Sequence, residues 1–153
     1  MKAIAVFQGK LKKSHVVFSQ SSPDKPVKID YSVYNLPSNS KHGFHIHTFG
    51  NLLSNDCSKC GGHWNPEQKT HGSLRSRESH AGDLGNIHTD ANGYSHRTFT
   101  TSKITLFGNK SIIGRSVVIH SREDDLGKGG NDESLITGNA GSRIDCAVIG
   151  HMK

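Results

Sequence analysis

Long apolar segments are absent from this sequence, and near its start the apolar run Ala3–Phe7 already ends at Gln8. A membrane-spanning helix needs about 20 apolar residues, and the core of a secretory leader needs about 7 to 15, so this run is too short for either. We therefore expect no membrane segment, no secretory signal and a location in the cytosol. Aromatic residues make up only 7% of the chain and do not alternate with dense basic runs, so nucleic-acid binding is not expected.

Cysteine is also scarce, and the three thiols, at Cys57, Cys60 and Cys146, permit at most one internal disulfide. Thiols usually stay reduced in the cytosol, so composition alone does not favour an oxidised pair. Cys57 and Cys60 form a C-x-x-C motif, which can carry redox or metal chemistry. Because no second pair accompanies this motif, we interpret Cys60 as a spare thiol.

Sustained helical periodicity is missing, and short runs with turn signals between them take its place. The clearest run is Val27–Leu36, in which every second residue from Val27 to Val33 is apolar. These runs predict a single all-β domain over residues 1–153, built as a sandwich or barrel. The eight predicted strands are Lys2–Gln8, Ser14–Ser19, Val27–Leu36, Gly43–Phe49, Asp83–Thr89, Tyr94–Thr101, Ile112–His120 and Ile144–Ile149. The turn Asp90–Gly93 ends in Asn-Gly, which predicts a hairpin between its flanking strands.

Two long irregular segments, Gly50–Gly82 and Ser121–Arg143, interrupt the strands, and loops of this length are usually functional. The stretch from His63 to Asp83 has no apolar periodicity, so burial of its own side chains cannot order it. It contains three histidines and one aspartate, which is a ligand set for tetrahedral zinc. We therefore predict a zinc site formed by His63, His71, His80 and Asp83.

A second group of histidines lies on predicted strands. His45 and His47 are two residues apart, so their side chains leave the same face of one strand, whereas His42 lies on the opposite face and is expected to bond the backbone. With His63 and with His120 at the end of another strand, the pair supplies four nitrogen donors, an approximately square set that suits copper(II). Both sets contain His63, which requires a ring deprotonated at both nitrogens that bridges two metal ions.

The charge of the chain is unbalanced toward the basic side, with a formal net charge of +6 and an isoelectric point near 9.3. A basic surface attracts anions over long distances. Because no nucleic-acid signal is present, a small anion is the expected partner.

These features together resemble the copper/zinc superoxide dismutases. The similarity covers essentially the whole chain, and its motifs are specific in combination. They are HGFHIHTFG at 42–50, HWNP at 63–66, HAGDLGN at 80–86, IIGRSVVIH at 112–120, DDLGKGGNDES at 124–134 and TGNAGSRIDCAVIG at 137–150. The resemblance implies an eight-stranded Greek-key β-sandwich or barrel of immunoglobulin-like type, with two long functional loops.

The same resemblance implies an enzyme that dismutates superoxide to dioxygen and hydrogen peroxide by redox cycling of copper. The implied copper ligands are His45, His47, His63 and His120, and the implied zinc ligands are His63, His71, His80 and Asp83. His63 matches the catalytic histidinate that bridges copper to a structural zinc. Arg143 matches the catalytic arginine at the mouth of the copper channel, and Asp124 matches the carboxylate that joins a copper ligand to a zinc ligand. Cys57 and Cys146 match an intrachain disulfide.

Besides Cys60, three positions depart from the family pattern. Ile136 stands where a lysine is usual, so local steering of superoxide is expected to be weaker, although the net charge still attracts anions. Ile144 replaces a proline that some relatives with strict copper-chaperone dependence carry, so dependence on that candidate partner is expected to be looser. His151 stands where an apolar residue is usual, yet we expect a homodimer. The implied contact residues are Phe49, Gly50, Ile113, Gly114 and the tail after Gly150.

Two non-enzymatic interpretations of the same fold stay open. One is a domain like that of the copper chaperone that docks on the enzyme, which lacks parts of the copper site. The complete set of copper-type histidines together with Arg143 argues against that interpretation. The other is a zinc-stabilised binding module that never receives copper. Metal analysis of the protein from its native cell, combined with a superoxide assay, separates these interpretations.

Overall fold

The computed structural model describes residues 1–153 and contains eight strands and two 3-10 helices of three residues each. The strands are β1 (Lys2–Val6), β2 (His15–Ser19), β3 (Val27–Val33), β4 (Lys41–His47), β5 (Asp83–His88), β6 (Ser95–Thr101), β7 (Ser116–His120) and β8 (Arg143–Met152). The 3-10 helices are Ser58–Cys60 and Glu133–Leu135. Neither helix has the length and apolar character that crossing a membrane requires. The prediction of an all-β fold is confirmed.

All neighbouring strands are antiparallel, in the order β5-β4-β7-β8-β1-β2-β3-β6. The sheet curls into a nearly closed barrel whose unpaired edges are β5 and β6. Although β4 follows β3 along the chain, it lies between β5 and β7, so a connection crosses the end of the barrel. This is the predicted eight-stranded Greek-key arrangement, and it is confirmed.

The core consists of 23 buried apolar residues that fill the barrel. On β3 every second residue from Val27 to Val33 is buried, as the alternation predicts. On β4 the side chains of Phe44 and Ile46 enter this core, but His45 and His47, which alternate with them, are buried too. The opposite face of β4 is therefore covered by loops, which gives that strand a second, polar interior.

The predicted hairpin between β5 and β6 is wrong, although its turn is correct. The N–H of Gly93 donates to the carbonyl of Asp90 at 3.1 Å, and Gly93 has a φ of 71°. However, β5 pairs with β4 while β6 pairs with β3. The turn instead packs on the segment after β3, where the N–H of Leu36 donates to the carbonyl of Gly93 at 3.3 Å. The turn therefore connects the two edge strands of the sheet, which do not pair with each other.

All eight strand ranges differ from the prediction at one end or both, and the reasons are clear for β7 and β8. β7 begins at Ser116 rather than Ile112, since the N–H of Arg115 closes a turn onto the carbonyl of Ile112 at 3.1 Å. β8 is longer than predicted because it pairs with β7 and then with β1, up to Met152. As a result, Arg143 is the first residue of β8 and not the last residue of the preceding loop.

A disulfide joins the first long loop to β8. It links Cys57 to Cys146, as the resemblance implies. Cys60 is a free, fully buried thiol that packs against the disulfide and Val118. The disulfide and its apolar surroundings attach this loop to the barrel next to the polar face of β4.

Candidate metal centre

His45 and His47 lie on the loop-covered face of β4, and both side chains are buried. His120, at the end of the neighbouring strand β7, is buried beside them. A single β-bridge between His47 and His63 carries the first long loop along the same face, and the N–H of Trp64 donates to the carbonyl of Ile46 at 2.7 Å. Backbone pairing therefore places imidazoles from two strands and one loop together.

We call the resulting group of four imidazoles the first donor cluster. Each of its residues offers one ligand atom, and these atoms all lie within 4.8 Å of one another. The Nε2 atoms of His47 and His120 are 3.2 Å apart, and the ring centroids of His45 and His63 are 4.0 Å apart. The buried atoms His45 Nδ1 and His63 Nε2 have no hydrogen-bond partner. Buried polar atoms normally find a partner, so these nitrogens fit metal ligands. The first donor cluster consists of His45, His47, His63 and His120.

The outer nitrogens of three of these rings are held by acceptors. His47 Nδ1 lies 2.8 Å from the carbonyl of Gly61, and His120 Nδ1 lies 3.2 Å from the carbonyl of Gly141. His45 Nε2 lies 2.6 Å from Asp124 Oδ2. An N–H that donates to such an acceptor fixes the tautomer and leaves the inner nitrogen with its lone pair.

The second donor cluster is centred on Asp83, the first residue of β5. Asp83 Oδ1 lies 2.9 Å from His63 Nδ1, 3.0 Å from His71 Nδ1 and 3.2 Å from His80 Nδ1. A tetrahedron with metal–ligand bonds of about 2.0 Å has edges of about 3.3 Å, so these separations fit a tetrahedral zinc site. Asp83 Oδ2 accepts the N–H groups of His80 and Gly72, which leaves Oδ1 for a metal ion. The second donor cluster consists of His63, His71, His80 and Asp83.

The ring of His63 contributes one nitrogen to each cluster. Its Nδ1 lies among the atoms around Asp83, while its Nε2 is the unpartnered atom of the first donor cluster. A neutral imidazole has only one lone pair for a metal ion, whereas a ring without either N–H proton has two. The arrangement therefore meets the geometric requirement of the bridge that the sequence predicts.

Asp124 connects the two clusters by contacting one imidazole of each. Its Oδ2 faces His45 Nε2, and its Oδ1 lies 2.7 Å from His71 Nε2, as the resemblance implies. Asn86 holds this aspartate in place: its Nδ2 donates to the carbonyl of Asp124 at 2.9 Å, and its Oδ1 accepts the N–H of Asp124 at 2.7 Å. The sequence assigned no role to Asn86, although the residue ends the HAGDLGN motif.

A glycine leaves room for the contact between Asp124 and His71. Gly138 has a φ of 71°, and a Cβ atom there would lie 2.1 Å from Asp124 Oδ1 and 2.5 Å from His71 Nε2. Any side chain would therefore displace the carboxylate or the imidazole. The sequence contains Gly138 in the TGNAGSR motif, but nothing in that pattern distinguishes this glycine from those needed only for turns.

Burial determines the protonation of the first donor cluster. It lowers the pKa values of His45 and His47 well below 6.5, helped by the neighbouring imidazoles, and it lowers the pKa of His120 to about 4. Burial also lowers the pKa of His63. Rings with such pKa values are neutral near pH 7, which is the form that binds metal ions.

The second donor cluster attracts a cation. Burial alone would raise the pKa of Asp83, but its hydrogen bonds with three histidines hold that pKa far below the usual range. Burial also opposes protonation of His71, yet hydrogen bonds to Asp124 and Asp83 raise its pKa to about 9. Positive charge is thus favoured between the carboxylates, and a divalent metal ion can take the place of the proton.

A cavity of about 500 Å³ leads from the surface to the first donor cluster. Arg143 lines it, with its guanidinium fixed by a 2.8 Å hydrogen bond from Nη1 to the carbonyl of Cys57. Ile136, which is 58% exposed, lies at the same cavity together with Arg122 and Glu133. An anion of a few atoms therefore has a route to His63 that passes a fixed cation.

His42 has the structural role that its position predicts. Its Nδ1 lies 2.8 Å from the carbonyl of His120, and its Nε2 lies 2.7 Å from Ser40 Oγ. The ring thus ties the start of β4 to the end of β7, outside both donor clusters.

A Greek-key β-barrel that carries two four-donor clusters with a shared imidazole defines a binuclear metalloprotein. More specifically, the chain belongs to the copper/zinc superoxide dismutase family, whose family model matches residues 12–149. A Cu-Zn superoxide dismutase of Neurospora crassa is 50% identical over 151 residues, which cover 98% of this chain and 97% of that relative. The enzymes of the same name from Schizosaccharomyces pombe and Saccharomyces cerevisiae are 50% and 47% identical, with the same coverage.

Proposed function

We propose that this protein catalyses the dismutation of superoxide, in which two superoxide anions and two protons give dioxygen and hydrogen peroxide. The observation that carries the proposal is the shared ring of His63 between two clusters of four donors, beside a cavity lined by Arg143. Family membership supports it, because relatives about 50% identical over nearly their full length are named Cu-Zn superoxide dismutases.

We assign copper to the first donor cluster and zinc to the second. Four imidazole nitrogens suit copper(II), whereas three imidazoles and a carboxylate at tetrahedral spacing suit zinc. When bound, copper supplies one-electron redox chemistry, and zinc supplies charge and order without redox chemistry.

Arg143 has the task of attracting and orienting superoxide. Its hydrogen bond to the carbonyl of Cys57 fixes the guanidinium, and the disulfide to Cys146 in turn fixes Cys57. A guanidinium carries five N–H donors, so others remain for a bound anion after this bond is made. The disulfide thus has a catalytic consequence, because it positions the cation.

His63 has the task of delivering a proton. Its Nδ1 is engaged beside Asp83 Oδ1, but its Nε2 has no partner within the protein. Nε2 is therefore the atom that can hold a proton and pass it to the reduced substrate. His63 also lines the cavity that contains Arg143, so such a proton is close to the bound anion.

The test of this function is a superoxide-decay assay combined with metal analysis. Protein loaded with both metals is expected to hold one copper and one zinc per chain and to accelerate superoxide decay. Protein that holds zinc alone is expected to be inactive, because zinc lacks redox chemistry. Equal activity with and without copper would contradict the proposal. A location in the cytosol stays a prediction, which cell fractionation can test.

We also propose a homodimer. Phe49 and Val148 are 58% and 38% exposed, and a Cβ atom at Gly50 would lie 3.3 Å from Val148 and 2.3 Å from the carbonyl of Gly114, so these residues form one continuous surface. A second copy that covers this apolar patch would make a self-complementary contact. Sedimentation is expected to find a dimer that Phe49→Glu dissociates and Leu135→Glu, on another surface, does not. A monomeric parent protein would contradict this proposal.

A further inference from the structure

The open edge of the barrel, between β5 and β6, contains a second recess. Three cavities, of about 600, 280 and 20 Å³, follow this edge, and all three are lined by Leu74 and Arg97. The loop segment between His71 and His80 forms one wall of the recess. We call the recess the seam cleft and define it by Leu74, Arg75, Leu84, Asn86, Arg97 and Phe99.

The seam cleft has unpaired positive charge. Arg75 and Arg97 both line it, and neither guanidinium makes a hydrogen bond or an ion pair with the rest of the chain. None of the residues that line the three cavities is an aspartate or a glutamate. Each guanidinium carries five N–H donors in a planar fork, a geometry that matches phosphate, sulfate and carboxylate groups.

The wall that carries Arg75 is held in place. Lys103, just after β6, donates from Nζ to the carbonyl of Ser73 at 3.3 Å, and also to the carbonyl of Ser76 and the hydroxyl of Ser79. These bonds fasten the loop segment 73–79 to the end of β6. They also occupy the ammonium group of Lys103, so the two arginines are the cations available to a ligand.

The floor of the seam cleft is apolar and partly aromatic. Leu84 is buried, Leu74 and Phe99 are half-buried, and the guanidinium carbon of Arg97 lies 5.7 Å from the centre of the Phe99 ring. A flat ring can therefore lie against Leu74 and Phe99 while a charged group reaches Arg75 and Arg97. The combination selects for a ligand with both parts.

We propose that the seam cleft binds a small organic anion in which an oxyanion group stands beside a flat apolar ring. Arg75 and Arg97 hold the oxyanion, and Leu74 and Phe99 contact the ring. This site is separate from the cavity of Arg143 and goes beyond the proposed superoxide chemistry. Its inner end is Asn86, which holds Asp124, so the ligand lies behind the metal centre.

The test titrates the metal-loaded protein, with its copper reduced and its disulfide intact, with phenyl phosphate and follows the amide NMR shifts. Saturable shifts are expected in residues 73–75, 84–86 and 97–103. Inorganic phosphate, which lacks the ring, and phenol, which lacks the charge, are each expected to bind at least about tenfold more weakly. Arg75→Gln and Arg97→Gln are each expected to weaken phenyl phosphate by about tenfold or more, because each removes charged hydrogen bonds.

Arg77→Gln is the matched control, since Arg77 belongs to the same loop but does not line the cleft. This variant is expected to bind like the parent protein, and superoxide activity is expected to stay unchanged in all three variants. Shifts confined to the cavity of Arg143, equal affinity for inorganic and phenyl phosphate, or wild-type affinity in Arg97→Gln would each overturn the proposal. Because the titration does not depend on turnover, its failure is distinct from failure of the proposed enzyme.

Discussion

The two halves of the metal centre are built on different kinds of structure. The first donor cluster takes three of its four imidazoles from strands: His45 and His47 from β4, and His120 from the end of β7. The second takes His71 and His80 from the interior of a long polar loop, and only Asp83 from a strand. His63, which the halves share, lies where the loop touches β4.

Because they are built differently, the two halves depend on a metal ion to different extents. The strand half is positioned by backbone pairing and by the core on the other face of β4, so we expect its geometry to persist without a metal ion. The loop half has few apolar side chains that reach the core and is positioned mainly by Asp83, Asp124 and Lys103. Its order depends on polar groups that a metal ion reinforces, so removing metal should affect the two halves unequally.

The largest effect is expected from a ligand of the strand half. His120→Ala should abolish superoxide dismutation while the fold remains, because its backbone belongs to the β7–β8 pairing. The loss of activity should exceed the roughly 100-fold that removal of an outer hydrogen-bond partner of a metal ligand can cost. His88→Ala, which changes an exposed histidine of β5, is the control and should be fully active. Full activity of His120→Ala with one equivalent of copper would remove His120 from the site.

Removal of zinc tests whether the loop half depends on the metal ion more than the strand half does. We expect amide hydrogen exchange to accelerate across residues 63–82, while the amides of β4 and β7 stay protected, because only the loop half relies on the ion. At free zinc about 1,000 times its Kd, binding adds about 4 kcal/mol to the free energy of unfolding, and this increment should vanish with the metal. Uniform loss of protection in loop and strands would show that the halves do not differ in this way.

Asp124→Asn should act more strongly on the loop half than on the strand half. His71 depends on Asp124 and Asp83 for its position, whereas the backbone of His45 is held by β4. We expect zinc affinity to fall by about 10- to 100-fold and copper affinity to fall less. Competition with chelators measures both affinities. Glu123→Gln, which changes an exposed neighbour that pairs with Lys41, is the control. A larger loss of copper affinity than of zinc affinity would show that the loop half does not depend more on Asp124 than the strand half does.

The smallest effect is expected at Lys103. Lys103→Met removes hydrogen bonds to three loop oxygens that water can partly replace, so we expect a cost of about 1 kcal/mol. Hydrogen exchange of residues 73–79 should accelerate about fivefold, with little change in superoxide activity. Lys28→Met, which changes an exposed lysine of β3 without a hydrogen bond, should leave this exchange unchanged. Equal exchange in both variants would mean that Lys103 does not hold the loop.

The strands could be predicted from the sequence because their signals are local. Alternation placed β3 within three residues of its true end, and the two-residue spacing of His45 and His47 put both rings on one face. The partners of β5 and β6, which are β4 and β3, could not be predicted in this way, because the turn between β5 and β6 packs on Leu36 at the barrel end and does not close a hairpin. The extension of β8 also depends on a distant strand.

In the metal site, too, some features have a local signal in the sequence and others do not. The ligand types were visible in the spacing of histidines, and the need for a shared His63 followed from counting donors. The acceptors that orient the rings, such as the carbonyls of Gly61 and Gly141, have no signal in the sequence because any residue has a carbonyl group. Lys103 reached the loop only through tertiary packing, so a local pattern could not indicate its role.

The proposed activity requires the imidazole of His63 to lie between two different metal ions. Anomalous diffraction from crystals of the oxidised, fully loaded protein, recorded at the copper and zinc absorption edges, tests it most directly. We predict a copper peak about 2.0 Å from His63 Nε2 and a zinc peak about 2.0 Å from His63 Nδ1. A single metal position, or two positions of which only one contacts the ring of His63, would show that His63 does not bridge two metal ions.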